Sequence, residues 1–254
     1  EICQSFDTNV LAPAETMAFL GKGEEMFISW KMPSFELMLK NAVKDVLDLY
    51  GIIRCGFDTL KGARLFTSIY RPVCANTIVL AENWAKANSD GAGQGSIWKG
   101  KGVNKHLLRD LGYWMSHVQG NAIREANLLQ NLFGRLVEIP IETHNEAEGI
   151  LNVAYPDVND VSEYYPKELR DGKRVKTEDF NESQGEIRDG ILDLFSGAGT
   201  LITPDYWGML NATSEYFCHV QASKKPIAES VMFGNRQKHI MQMVTTLSNM
   251  AGAE

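Results

Sequence analysis

The chain has 254 residues, 44% of them hydrophobic and 22% charged, enough apolar material for a sizeable core in one large domain or one and a half. Its net charge of −7 excludes a generally basic nucleic-acid coat, and no apolar run approaches membrane-spanning length. Cys3, Cys55, Cys74 and Cys218 share no C-x-x-C spacing and read as reduced, packed thiols of a cytoplasmic protein. Nothing at the start resembles a signal peptide, and a chain that opens on Glu1 without Met implies a missing N-terminal piece.

In chain order, Pro13 to Leu20 reads as a short helix after an irregular opening. Met26 to Lys31 is a half-buried strand, in which Phe27, Ser29 and Lys31 alternate with Ile28 and Trp30. Ser34 then suits the cap of a helix over Phe35 to Leu49, with Leu37, Met38, Val43, Val46, Leu47 and Tyr50 at helical spacing and Gly51 as its stop. Ile52 to Phe57 and Ala63 to Ser68 read as strands joined by Asp58-Thr59-Leu60-Lys61-Gly62, a spacing that suits a hairpin. Arg71 to Trp84 is expected to be an amphipathic helix entered through Pro72 and packed on one face of that sheet.

Charge is unevenly spread. Between Arg54 and Arg124 ten Lys or Arg stand against four acids, a local balance of +6, whereas Glu138 to Asp189 holds fourteen acids against six bases, a balance of −8. A local positive field is what polyanion binding requires, although solvated faces of opposite sign account for the same counts. The glycine-rich stretch Ser89 to Gly102 is a loop carrying Trp98, Lys99 and Lys101, with Lys105 and His106 just beyond. Its Gly95-x-x-x-x-Gly100-Lys101 lacks the final Ser or Thr of a phosphate-cradling P-loop, because Gly102 stands there. It better suits an extended phosphate backbone, with Trp98 stacking on a base, or else a surface loop whose Trp packs down on the core.

Asn104 to Leu136 is helical in pattern, and Gly112, Gly120 and Gly134 are expected to break or cap it. His106 and His117 lack the spacing of metal ligands. Glu138 to Asp189 reads as an irregular acidic connector or insert, with Glu142, His144, Glu146 and Glu148 assigned to solvent rather than to a metal. Gly190 to Leu201, GILDLFSGAGTL, resembles the glycine-rich first motif of S-adenosylmethionine-dependent methyltransferases, which requires a strand before the glycines. The remaining length is short for that domain, and a methyltransferase stands third among the readings.

The last third carries more specific blocks. Thr203 to His219, TPDYWGMLNATSEYFCH, resembles the closing signature of a phage- and plasmid-borne family of unknown function, roughly T-x-W-G-L-x-N-A-x-T-E-Y-x-D-H. Glu229 to Asn235 with Lys238 is similar to its E-S-A-W-F-G-x-G-x-x-x-K element, and Arg71 to Thr77 with Leu80-Ala81 to its R-V-V-C-x-N-T-L-x-L-A block. The family's H-D-G turn is here Gly56-Phe57-Asp58-Thr59 without a His, its R-H-T-x-N element is reduced to Asn104-Lys105-His106, and Cys218 replaces the final Asp. Trp207, Leu210, Tyr216, Met232 and Phe233 are expected to be buried, Asn211 and Glu215 to form an i,i+4 pair, and Gly234 to end a helix or occupy a turn.

The expected architecture is α+β: a small antiparallel sheet in a β-β-β-α core over residues 1–136, a connector over 137–189, and a helical C-terminal part over 190–254. That core is similar to single-strand annealing proteins of the Rad/RecT type. The resemblance implies single-stranded DNA as partner, a homo-oligomeric ring or filament, and no metal, cofactor, membrane or catalytic residue. It implies phosphate contacts from Arg54, Lys61, Arg64 and Arg71, closure by Lys99, Lys101, Lys105 and Arg109 with His106 beside them, and stacking by Trp98. The alternative is a phage or plasmid protein-interaction factor that blocks a host defence.

Overall fold

The computed structural model describes residues 14–20, 25–38, 44–56, 64–71, 76–80, 127–163, 175–199, 203–221 and 235–252. Five strands, β1 (Ala14–Leu20), β2 (Glu25–Met38), β3 (Lys44–Gly56), β4 (Arg64–Arg71) and β5 (Asn76–Leu80), form one antiparallel sheet in sequential order. The β-rich part precedes the helices, so the class is α+β.

Three expected helices are strands instead. Residues 14–20 are rich in helix formers, yet they pair with β2. The stretch expected as one helix over Phe35 to Leu49 is the end of β2 and the start of β3, and Asn76–Leu80 pairs with β4. Pairing outweighs weak local propensity in each case. The β3–β4 hairpin forms as expected, with Arg54 opposite Arg64 and Asp48 opposite Tyr70.

Between Met32↔Leu49 and Phe35↔Leu47, β2 has one residue more than β3. Pro33 and Ser34 occupy this bulge, where the missing proline N–H breaks no ladder bond. Ser34 therefore caps no helix; its hydroxyl donates to Asp48 Oδ1.

On the sheet's inner face Trp30, Met32, Leu47 and Leu49 join the apolar core. Trp30 lies across Gly51, where a Cβ would meet the indole at 2.2 Å, so Gly51 is a packing position inside β3 and not a helix stop. From Met26 to Trp30 residues of both parities are buried, which means that both faces of β2 are covered there.

Among the described residues the rest of the core is mainly helical. It comprises α1 (residues 127–138), α2 (His144–Ala154), α3 (Thr177–Asp193), α4 (Tyr206–Glu215) and α5 (Asn235–Met250). Leu129, Leu132, Phe133 and Leu136 of α1 pack with Trp207 of α4 and Ile240, Val244 and Leu247 of α5. Gly134 lies inside α1 rather than ending it; Gly112 and Gly120 fall outside the described residues. The acidic stretch expected as an irregular connector holds α2 and α3, whose Ala147, Ile150, Leu151, Ile187 and Ile191 are buried. Its acids line the outer surfaces of helices that nonetheless contribute to the core, the usual division of a surface helix.

Two backbone bonds, from Ile141 N–H to Pro204 C=O at 2.9 Å and from Tyr206 N–H to Ile139 C=O at 3.0 Å, tie the α1–α2 link to the start of α4. Among the described residues no helix is long and apolar enough to cross a membrane.

Candidate nucleic-acid interface

The sheet register decides which of the expected phosphate ligands can act together. Arg54 of β3 pairs with Arg64 of β4 on one side and with Phe27 of β2 on the other, so these three positions share one row. Lys31 pairs with Tyr50, four residues before Arg54, and so belongs to the same face. Arg71 pairs with Asn76 and has the opposite parity to Arg64, which assigns it to the other face with positions 65, 67 and 69. By register the positions thus divide, 54 and 64 on one face and 71 on the other. Lys61, Trp98, Lys99, Lys101, Lys105, His106 and Arg109 lie outside the described residues, as does His117.

Lys31, Ser34 and Asp48 form a polar cluster that was not singled out from the sequence. Lys31 Nζ donates to Asp48 Oδ2 at 2.8 Å, and Ser34 Oγ donates to the other carboxylate oxygen. Burial raises the Asp48 pKa, but the hydrogen bonds from Lys31 and Ser34, with the lysine's charge, outweigh burial and leave it below the usual aspartate value. The same contact, with Asp48 as hydrogen-bond partner, raises the pKa of Lys31. The bulge brings Ser34 to this carboxylate, so the visible signal was Pro33 inside an apolar run.

The C-terminal signature resolves into structural roles. Asp205 caps α4, its Oδ1 accepting from Gly208 N–H at 2.8 Å and from Thr203 Oγ1–H at 3.0 Å. A Cβ on residue 208 would lie 1.9 Å from the Thr203 carbonyl oxygen, so only glycine fits. Trp207 is fully buried and packs against Phe133, with ring centroids 4.8 Å apart. Its indole N–H donates to Asp45 Oδ2 on β3 at 3.0 Å, joining the helical part to the sheet across 162 residues of chain. Leu210 and Tyr216 are buried as expected. Asn211 Nδ2 donates to the Trp207 carbonyl at 2.8 Å, one turn back along the helix. Met232, Phe233 and Gly234 fall outside the described residues.

The methyltransferase-like motif does not have the strand it requires. Residues 177–193 are α3, continued by a wide π-helical turn over Leu194–Ala198. Its glycines have local explanations. A Cβ at Gly190 would meet the Tyr216 ring at 2.2 Å, and Gly197, with φ of 149°, adopts a backbone conformation that favours glycine as the chain leaves the helix.

Among the described residues no group of three His, Cys, Asp or Glu side chains is arranged to hold a metal ion. Glu146 accepts from the Glu142 N–H at 2.9 Å and is held at the α2 N-terminus, where Thr143 Oγ1 accepts from Glu146 N–H at 3.1 Å. His144 sits 3.3 Å from Glu148 on the exposed side of α2. Cys218 is buried, and its Sγ lies 3.9 Å from Ser214 Oγ. Comparison with protein-family models, with curated proteins and with solved structures finds no match.

Proposed function

We propose that this chain is a single-stranded DNA-binding, annealing-type recombination protein of a phage or plasmid, non-catalytic and assembled as a homo-oligomeric ring or filament. The observation that carries this reading is the direct opposition of Arg54 and Arg64 across β3 and β4. Like charges directly opposite destabilise a strand pair. A phosphate bound between the two positions reverses that penalty, and the loop between them supplies Lys61 as a third cation. The net charge of +6 over residues 54–124 extends the positive field beyond the hairpin. Lys99, Lys101, Lys105 and Arg109 close over the strand in this reading, His106 stands beside them and Trp98 stacks on a base.

The test is binding of an unstructured oligonucleotide over a range of salt concentrations. Each single-strand phosphate contact contributes a slope of about 0.7 in log affinity against log salt. Replacing Arg54 and Arg64 together by Ala then makes the slope shallower by about 1.4, and replacing Lys99, Lys101 and Lys105 by about 2. Trp98→Ala weakens binding by roughly 1–3 kcal/mol and leaves the slope unchanged. A folded wild-type protein with no affinity for single strands at low salt refutes the reading.

A second reading, a protein-interaction factor, is favoured by β1. Outermost among the described strands, it carries Met17 and Phe19 at 52% and 62% exposure, a surface suited to contact with another protein. A compact monomer indifferent to DNA supports it over the first.

A further inference from the structure

Arg236 stands in the first turn of α5, a helix of 16 residues, and is 4% exposed. Its Nη2 donates to the carbonyl of Gln221, at the end of the π-helical turn Tyr216–Val220 that continues α4. Its Nη1 is buried and has no hydrogen-bond partner. Among the described residues no carboxylate pairs with it, and the ionisable group whose pKa it perturbs is the Tyr216 phenol. A guanidinium cannot escape burial by losing its proton, so a buried one without a counter-ion is costly. One carbonyl at a helix C-terminus offsets part of that cost and leaves half of the donor fork unused.

The surroundings point the same way. His239 lies three residues on, hence on the same side of α5 as Arg236. Its Nδ1 is also buried without a hydrogen-bond partner, while its ring stacks on Phe217 with centroids 5.0 Å apart. Lys238, between them, is exposed and adds a further positive charge.

We propose that Arg236, in the first turn of α5, anchors a binding site for a phosphate-class oxyanion, held by its Nη1, with His239 beside it. The site is separate in sequence from the hairpin and loop cations assigned to single-stranded DNA, and it does not depend on that assignment. Either a free phosphate or a phosphate of a larger ligand presents the same oxygens. A carbonyl or hydroxyl ligand would leave the positive charge uncompensated.

The experiment is a titration of the folded wild-type chain with inorganic phosphate, against sodium chloride at matched ionic strength, followed by the melting temperature and by NMR of the His239 ring and the Arg236 guanidinium. Phosphate is expected to raise the melting temperature saturably and to shift both resonances, with chloride doing neither. Arg236→Gln should weaken phosphate binding by about 10- to 100-fold, the loss expected for one charge-assisted contact. An absent wild-type response, or an equal response in Arg236→Gln, overturns the site. If Arg236→Gln does not fold, the wild-type resonances decide, because binding elsewhere leaves them unmoved. In a parallel arm, an oligonucleotide that displaces phosphate from Arg236 identifies the anion as a nucleic-acid phosphate, and independent binding of the two identifies it as free phosphate.

Discussion

The hydrogen bond between Trp207 and Asp45 permits a quantitative test of how the two halves of the molecule are joined. Trp207 is fully buried and Asp45 is nearly so, and the N–H to carboxylate distance is 3.0 Å. A bond to a charged acceptor contributes about 1.5–3 kcal/mol net, and a buried donor left without a partner costs about 1–3 kcal/mol. Asp45→Ala should therefore destabilise by roughly 2–4 kcal/mol, from the lost bond and the stranded indole N–H. Trp207→Phe keeps most of the apolar contact with Phe133, so its cost combines the lost bond with a small cavity. In the double variant the bond is already absent, and the coupling energy of the cycle should be about 1.5–3 kcal/mol. Urea unfolding followed separately by tryptophan fluorescence and by far-ultraviolet circular dichroism supplies all four stabilities. A coupling below about 0.5 kcal/mol, within the additivity expected of independent sites, would refute a direct bond between α4 and β3.

Further outcomes follow from burial and packing. Gly190→Ala should destabilise by about 1–3 kcal/mol through overpacking against Tyr216, whereas Gly149→Ala, in open space on α2, should stabilise by about 0.5–1 kcal/mol; equal effects in chemical denaturation would show that Tyr216 does not lie against α3. His239 is held below the ordinary histidine value by burial first and by the charge of Lys238 second. The unfolded chain therefore takes up the proton first as pH falls through about 6.5, and stability should decline from there down to the depressed folded value. His239→Gln should flatten that decline, and an unchanged slope between pH 7 and pH 5 would remove His239 as its cause.

What was legible in the sequence followed from how far a side chain's partner lies from it. The β3–β4 hairpin could be read because its two runs are close neighbours, and burial of Trp207, Leu210 and Tyr216 because large apolar residues at helical spacing seldom face water. The outer ends of the β2–β3 ribbon were legible as the strands Met26 to Lys31 and Ile52 to Phe57, but the part between, Phe35 to Leu49, read as a helix because two features hide its alternation. Asp45 stands at a core position among Leu47 and Leu49, satisfied by an indole 162 residues away, and Pro33-Ser34 shifts the parity of β2 halfway along. A local window sees a polar residue where an apolar one belongs and an apparent spacing of three or four. β1 failed for a different reason: Ala, Glu, Met and Leu favour helix, and pairing with β2 decides otherwise. Of the candidate site, the cations were visible as a charge count, but their division between faces required the register.

The closing signature bears on function through what its residues already do. Asp205 caps α4, Gly208 makes room for the Thr203 carbonyl, Trp207 ties α4 to β3, and Asn211 bonds back to Trp207. Each is thereby assigned to holding α4 in place, so the signature's pattern follows from packing with no ligand invoked. The consequence can be measured with Asp205→Ala, which removes the acceptor of two hydrogen bonds at a fully buried position. Loss of an N-cap costs about 0.5–2 kcal/mol, and the stranded Gly208 N–H adds to this. The melting temperature should fall accordingly. Single-strand affinity per folded molecule, and its salt slope, should equal those of the wild type, because no phosphate contact has been removed. If Asp205→Ala instead abolished binding with its melting temperature intact, the signature would be a ligand site, and the hairpin cations would lose their claim to be the principal contact.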